Sequence, residues 1–256
     1  MKHLLNITHY HRIVGLAAVI GFSSFYQSSS AQTAPEIAEQ EPTPWESSAS
    51  AGLTLTRGNS DTIMVTSNLS SRRNWDRNEA RLGASAAYGE TDNERSTERF
   101  SAFGQYNRLF SDRMFGYARL DGLRDGVADI EYRVAFSPGL GYYFIKTGDT
   151  SLSVEVGPGV IYEKQGGTYD TYATLRIAQR FEHRLTDRSR IWQFLEFLPQ
   201  VDDFDNYIIN SEIGVESQLT EKLSLRSYLQ NSYDNEPAAG RKKHDMKLVT
   251  ALAYTF

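Results

Sequence analysis

No cysteine occurs among the 256 residues, so a disulfide framework is excluded and stability must come from backbone pairing and packing. A basic excess is also missing. The chain carries 27 Lys and Arg against 32 Asp and Glu, a formal net charge of −5, and lacks the concentrated basic face that nucleic acid requires. No apolar run is long enough to cross a bilayer as a helix. The longest, IVGLAAVIGFSSF at 13–25, falls short of the roughly 20 residues that span the hydrocarbon core. A mean hydropathy of −0.48 with 23% charged residues further excludes a multi-span helical membrane protein. Catalytic and ligand motifs are equally scarce. No nucleophile elbow, phosphate cradle or zinc-ligand spacing is present, and the GLG and GPG triplets are too short to hold phosphate.

What is there begins with a charged start at Lys2 and Arg12, the apolar run, and small residues Ser29, Ser30 and Ala31. That order reads as a secretory signal peptide over 1–31, and the mature chain is expected to begin at Gln32. The acidic, Pro-bearing stretch 32–44 reads as a flexible periplasmic leader. From Trp45 to Phe256 the sequence switches between alternating runs and turn clusters. It predicts one all-β domain at 45–256, an up-and-down transmembrane β-barrel of about 12 antiparallel strands. The runs fall at 45–57, 61–73, 78–90, 97–110, 114–125, 130–145, 151–164, 171–185, 189–201, 206–219, 223–234 and 245–256. SDR, KTGDT, TDR and TEK make short turns at every second junction. Between them ETDNERS, GVAD, QGGTYD, DDFD and NEPAAGRKKH are expected to form longer outside loops.

Alternation assigns two faces. Tyr207, Ile209, Ile213, Val215 and Leu219 share one, and Asn206, Asn210, Glu212, Glu216 and Gln218 the other. Tyr132, Val134, Phe136, Leu140, Tyr142 and Phe144 oppose Glu131, Arg133, Ser137 and Gly141 in the same manner. With about twelve strands the interior is too wide for inward apolar faces to fill, so those faces are expected to turn outward to lipid. Trp45, Trp75 and Trp192 then fall at the periplasmic ends of their runs, where aromatic side chains gather at a membrane boundary. The stretch RIWQFLEFLP at 190–199 is apolar on both faces, which instead marks inward packing of Trp192 and Phe194. The chain stops on LVTALAYTF, and Leu252, Tyr254 and Phe256 share the outward face. This spacing resembles the carboxy-terminal signal by which outer-membrane barrels are recognised for assembly.

GLTLTRGNSD at 52–61 and YDNEPAAGRKKHDMKLVTALAYTF at 233–256 resemble the two ends of a bacterial family of salt-induced outer-membrane proteins, mostly of unknown function. The resemblance implies an outer-membrane location and a link to salt or osmotic stress. It implies no catalytic residue, cofactor or metal. Membrane lipids, lipopolysaccharide and the barrel-assembly machinery are the expected partners.

The inward registers carry nine bases: Arg72, Arg81, Arg99, Arg119, Arg133, Arg176, Arg180, Arg226 and Lys247. Nine acids match them: Asp121, Glu131, Glu155, Glu163, Glu182, Glu196, Glu212, Glu216 and Asp245. An equal count suggests a cross-linked lumen, because a charge facing low-dielectric surroundings is costly unless paired or hydrated. A barrel closed by ion pairs is therefore the first reading, and a narrow low-selectivity channel the alternative. A lipid-modifying enzyme is a third reading. It would rest on His244 beside Asp245 with Ser232 nearby, His183 being the other histidine past the signal. Pro138 and Pro158 fall nearly opposite each other on the outward face, either as a bulge in the wall or as a weak lateral seam. The loop acids Asp202, Asp203, Asp205, Asp92 and Glu94 could hold divalent cations that bridge to lipopolysaccharide.

Overall fold

The computed structural model describes residues 44–56 and 62–256. The expected signal peptide, residues 32–43 of the expected leader and the 57–61 part of the GLTLTRGNSD motif lie outside that range. The strands are β1 (Glu46–Thr56), β2 (Thr62–Trp75), β3 (Asn78–Thr91), β4 (Glu94–Leu109), β5 (Met114–Asp125) and β6 (Ile130–Lys146). They continue as β7 (Thr150–Gln165), β8 (Thr168–Thr186), β9 (Ser189–Pro199), β10 (Tyr207–Gln218), β11 (Leu223–Asp234) and β12 (His244–Thr255). Each pairs antiparallel with its sequence neighbours, and β12 returns to β1, so the sheet is a closed barrel. Closure gives every strand a neighbour on both sides, which is what a β structure needs in lipid, where no water can pair with exposed amides. The closing seam is the shortest ladder, from Ser48↔Thr255 to Ala51↔Leu252, whereas β1 and β2 pair along the whole of β1.

The two faces are the inverse of a soluble barrel. Leu53, Leu69, Leu120, Phe136, Leu140, Ile213, Leu248 and Leu252 are exposed outward. Arg119, Glu155, Arg176, Glu196 and Glu216 are buried inside. Burial of apolar area drives soluble folding, so an outer face this apolar is stable only against hydrocarbon; this is a transmembrane β-barrel. Trp75 lies outside at the end that bears both described termini. Its ring sits 6.2 Å from that of Tyr106, and the Arg73 guanidinium lies 5.2 Å from its centroid. Trp45 is exposed beside the same end.

Two expected loops are absent. β3–β4 and β7–β8 are joined by two-residue turns, Asp92–Asn93 and Gly166–Gly167, all four at positive φ. Asn, Asp and Gly tolerate that backbone region, and paired positive φ values match the twist of a hairpin. The polar stretches read as loops are therefore strand: β4 starts at Glu94 and β8 at Thr168, and both hairpins extend the wall. The β5–β6, β9–β10 and β11–β12 links remain true loops. In the last, Asn235 donates to the Asp205 carbonyl at 2.6 Å, which ties the two longest links together.

Candidate functional site

Alternation places one residue in two inside, and the interior that results is a layered network of charge. At its centre Arg176 on β8 donates to Glu155 on β7 and Glu196 on β9, both at 2.7 Å. The Arg176 side chain is 1% exposed, and those of Glu155 and Glu196 are 4% and 7%. Such charges are tolerable in a dry interior only when paired and fully hydrogen-bonded. The carboxylates' remaining acceptor capacity is used accordingly: Gln105 reaches Glu155 from β4 at 2.9 Å, and Asn210 reaches Glu196 at 3.1 Å, whereas the buried Arg176 Nη2 has no hydrogen-bond partner among the described residues. Arg119 grips Asp121 with two bonds, at 2.8 and 2.6 Å, and donates a third to Gln105 at 3.1 Å.

Below this layer, toward the termini, Glu79 accepts from Tyr143 at 2.6 Å and Asn107 at 3.0 Å, with Lys146 at 3.3 Å. Phe115 and Tyr117 pack beside Tyr143. Glu216 collects Arg190 at 2.8 Å, Ser224 at 2.5 Å and Arg226 at 3.0 Å, while Glu212 accepts from Trp192 Nε1 at 2.5 Å and from Gln230. At the opposite mouth Arg133 on β6 bonds Glu163 on β7. It also bonds Asp234 on β11 at 2.9 Å, a brace between nearly opposite walls. Under that brace Ile161, Tyr172, Leu198 and Ile208 form an inward apolar cluster. Arg99 pairs with Asp125 at 3.0 Å on the other side.

Most of the expected network residues are thus brought together. Arg81, Arg99, Arg119, Asp121, Arg133, Glu155, Arg176, Glu196, Glu216 and Arg226 all make ion-pair contacts along the inner wall. Glu212 joins through neutral donors rather than a cation, and Arg180 makes no hydrogen bond or ion pair among the described residues. Glu131 is a correction. The ladder shifts register between Ile130 and Tyr132, so Ile130 turns inward and Glu131 pairs with Lys164 on the exposed side. Arg72 is inward only at the mouth, where it meets Glu46, and Asp245 stands exposed at the opposite rim. Glu79, Asp125, Arg190 and Asp234 belong to the network although the inward set read from the sequence omits them. Each shares parity with an assigned inward neighbour on its own strand, so extending the alternation to the strand ends finds them.

Trp192 does not join the boundary belt. Its ring packs inward, 6.3 Å from Tyr228, and Phe194 lies beneath Arg180 at 4.8 Å, the inward packing that the two-faced apolar run implies. Ser232 donates inward to Asn210, whereas His244 sits against Tyr233 on the outer face, so no Ser–His pair forms there. His183 bonds Thr150 at 2.8 Å near the β6–β7 turn. Among the described residues no three His, Asp or Glu side chains gather as a metal site. Asp203 instead accepts the Asp205 amide and Asp202 accepts from Gln200 within their own loop. Pro138 and Pro158 do lie opposite each other and outward; the ladder is interrupted from Ser137 to Gly139 but resumes in the same register, so the wall has no bulge there. Leu252, Tyr254 and Phe256 are exposed outward, the last two rings stacked at 6.4 Å, and the Phe256 amide donates to the Ser47 carbonyl.

The interior is lopsided. Long charged and aromatic side chains fill the β5–β9 wall. The facing wall offers small ones, such as Ser48, Ser50, Ser85, Ser101, Ala251 and Ala253. Access to the lumen is uneven: the inward Arg81, Arg99 and Asp121 side chains are 25%, 24% and 33% exposed and those of Glu182 and Arg190 36% and 37%, whereas Gln105, Asn107, Glu155 and Arg176 are buried. The arrangement can hydrate polar groups at these positions while the layer of Arg176, Glu155 and Glu196 is dry.

Comparison with known proteins adds the following. The chain is 24% identical over 216 residues to the uncharacterized protein YdiY of Escherichia coli (strain K12), covering 83% of each. Among solved structures it is similar to the NanC porin, with 8% identity and a TM-score of 0.49 over 82% of this chain and 99% of that one. It is also similar to an outer-membrane channel from Pseudomonas putida F1, with 10% identity and a TM-score of 0.49 over 88% of this chain and 100% of that one. These structural overlaps are loose, and the barrel assignment stands on the strand pairing above. Residues 49–256 match the family described as protein of unknown function DUF481, and the chain belongs to that family.

Proposed function

We propose that this protein is an outer-membrane barrel carrying a narrow, off-centre aqueous path for small hydrophilic solutes. One observation carries the reading: inward Arg81, Arg99, Asp121, Glu182 and Arg190 remain partly exposed beside a dry layer built around Arg176. A barrel packed throughout would bury all of them. The apolar outer wall and the signal-like first 31 residues support insertion in the outer membrane of a Gram-negative cell after export. Lipids and lipopolysaccharide would then surround it. An enzymatic reading loses its support with His244 and Ser232 on opposite faces.

Refolded protein in a planar bilayer is expected to give small, discrete current steps, with heat-shifted gel mobility as proof of folding. A folded barrel that stays silent would overturn the channel reading and leave a barrel closed by its ion pairs. The link to salt or osmotic stress is the finer part of the proposal. It predicts that a deletion strain survives a sudden salt shift less well than its parent, and equal survival would remove it.

Recognition by the assembly machinery is proposed for the outward strip Leu252, Tyr254 and Phe256. Removing Phe256 takes away one exposed ring and one amide bond to Ser47, a small loss for the fold. We expect such a variant to refold normally in detergent yet to reach the outer membrane at least several-fold less in cells. Equal membrane levels would show that the strip carries no signal.

A further inference from the structure

The charge network leaves two arginines over. Arg180 on β8 lies with its guanidinium 4.8 Å from the Phe194 ring, and its buried Nε has no partner. Among the described residues it forms no ion pair. Arg81 on β3, from the far side of the lumen, is little better served: its nearest acid is Glu79, 4.0 Å away, and it makes no hydrogen bond among the described residues.

The acids around them are committed elsewhere. Glu155 holds Arg176 and Gln105, Glu182 holds Arg190 at 2.7 Å, and Glu79 holds Tyr143, Asn107 and Lys146. Asp121 is held by the Nε and Nη2 of Arg119. Arg81 pairs across the ladder with Gln105, which bonds Glu155, and Arg180 pairs with Ser153, two residues from Glu155, so both arginines border that carboxylate. Like charges repel, and the buried Arg180 Nε is unsatisfied among the described residues. An anion between them would relieve both costs. The planar donor fork of arginine matches the paired oxygens of a phosphate or a carboxylate.

We propose that Arg81 and Arg180 form an anion-binding constriction that takes a small oxyanion or carboxylate from the aqueous path. The site deepens the channel reading and rests on it for access, but binding and conduction are separable. Anions crossing the barrel dwell between the two forks, and the path favours anions over cations despite the balanced charge of the whole lumen.

The test uses the refolded mature protein in phosphate-free detergent and reads the 31P linewidth of inorganic phosphate. Wild-type protein is expected to broaden the line. Arg81→Gln with Arg180→Gln should reduce the broadening at least three-fold, and Arg184→Gln, whose side chain meets Asp149 at the exposed rim, should leave it unchanged. If the double variant does not fold, Arg81→Gln alone serves, since its side chain is the more exposed and is expected to halve the effect. In a bilayer under a KCl gradient, the reversal potential should shift from anion preference toward zero in the same variants. Equal broadening by wild type and folded variants would overturn the site. A silent wild-type barrel that still broadens phosphate would overturn the channel and keep the site; a conducting barrel with neither response would do the reverse.

Discussion

Arg176→Gln is expected to destabilise the barrel by about 3–5 kcal/mol, the usual cost of breaking a buried ion pair by removing one partner. The arginine is 1% exposed and is the only cation within 4 Å of Glu155 or Glu196 among the described residues. Glutamine would leave two carboxylates in a dry wall, with only Gln105 and Asn210 to satisfy them. Urea unfolding followed by heat-shifted gel mobility gives the midpoint for each variant. The triple change Arg176→Met, Glu155→Gln and Glu196→Gln provides the control. It removes the charges together and should recover most of the loss, because the penalty arises from unpaired charge and not from the missing attraction alone. A loss below about 1 kcal/mol for the single variant, the worth of an exposed pair, would show that water reaches the triad. The dry wall would then be wet, and the lopsided lumen with it.

Much of this barrel can be read from the chain. Alternation identifies all twelve strands to within a few residues and the inward side of nearly every charge. It fails where the physical reason for alternating disappears. Above the apolar band both faces of a hairpin meet water, so β4 from Glu94 and β8 from Thr168 look like loops, although the Asp92–Asn93 and Gly166–Gly167 pairs signal tight turns. Strand position puts Trp192 in the boundary belt, but parity outweighs it. Trp192 shares parity with Glu196, and Glu212 waits inside for its indole N–H. Contacts across the lumen lie beyond the sequence altogether. Period two gives the side of a residue but not its height, which depends on how each strand is staggered against the next. Hence Arg133 with Asp234, and Gln105 with Glu155, cannot be paired in advance. The isolation of Arg180 is invisible in the sequence for the same reason.

Gly157→Val is expected to destabilise by about 3 kcal/mol, the upper end for overpacking, because the atoms in the way are backbone. Pro138 and Pro158 face each other across β6 and β7, and proline has no N–H, so this pair cannot exchange ladder bonds. The ladder has no paired positions from Ser137 to Gly139, and close packing replaces the bonds. A Cβ at Gly157 would stand 2.1 Å from the Pro138 carbonyl oxygen and 2.6 Å from the Gly139 Cα. Side chains could rotate away from such an intrusion, but these atoms can move only if the two strands separate. Gly148→Ala in the adjoining turn is the control, since nothing lies within 4 Å of the added carbon. It should leave the urea midpoint unchanged. If Gly157→Val folds with wild-type stability, the strands part at little cost, and the proline pair is a compliant seam in the wall. If it falls as expected, the seam is shut by contact, and solutes have only the lumen to follow.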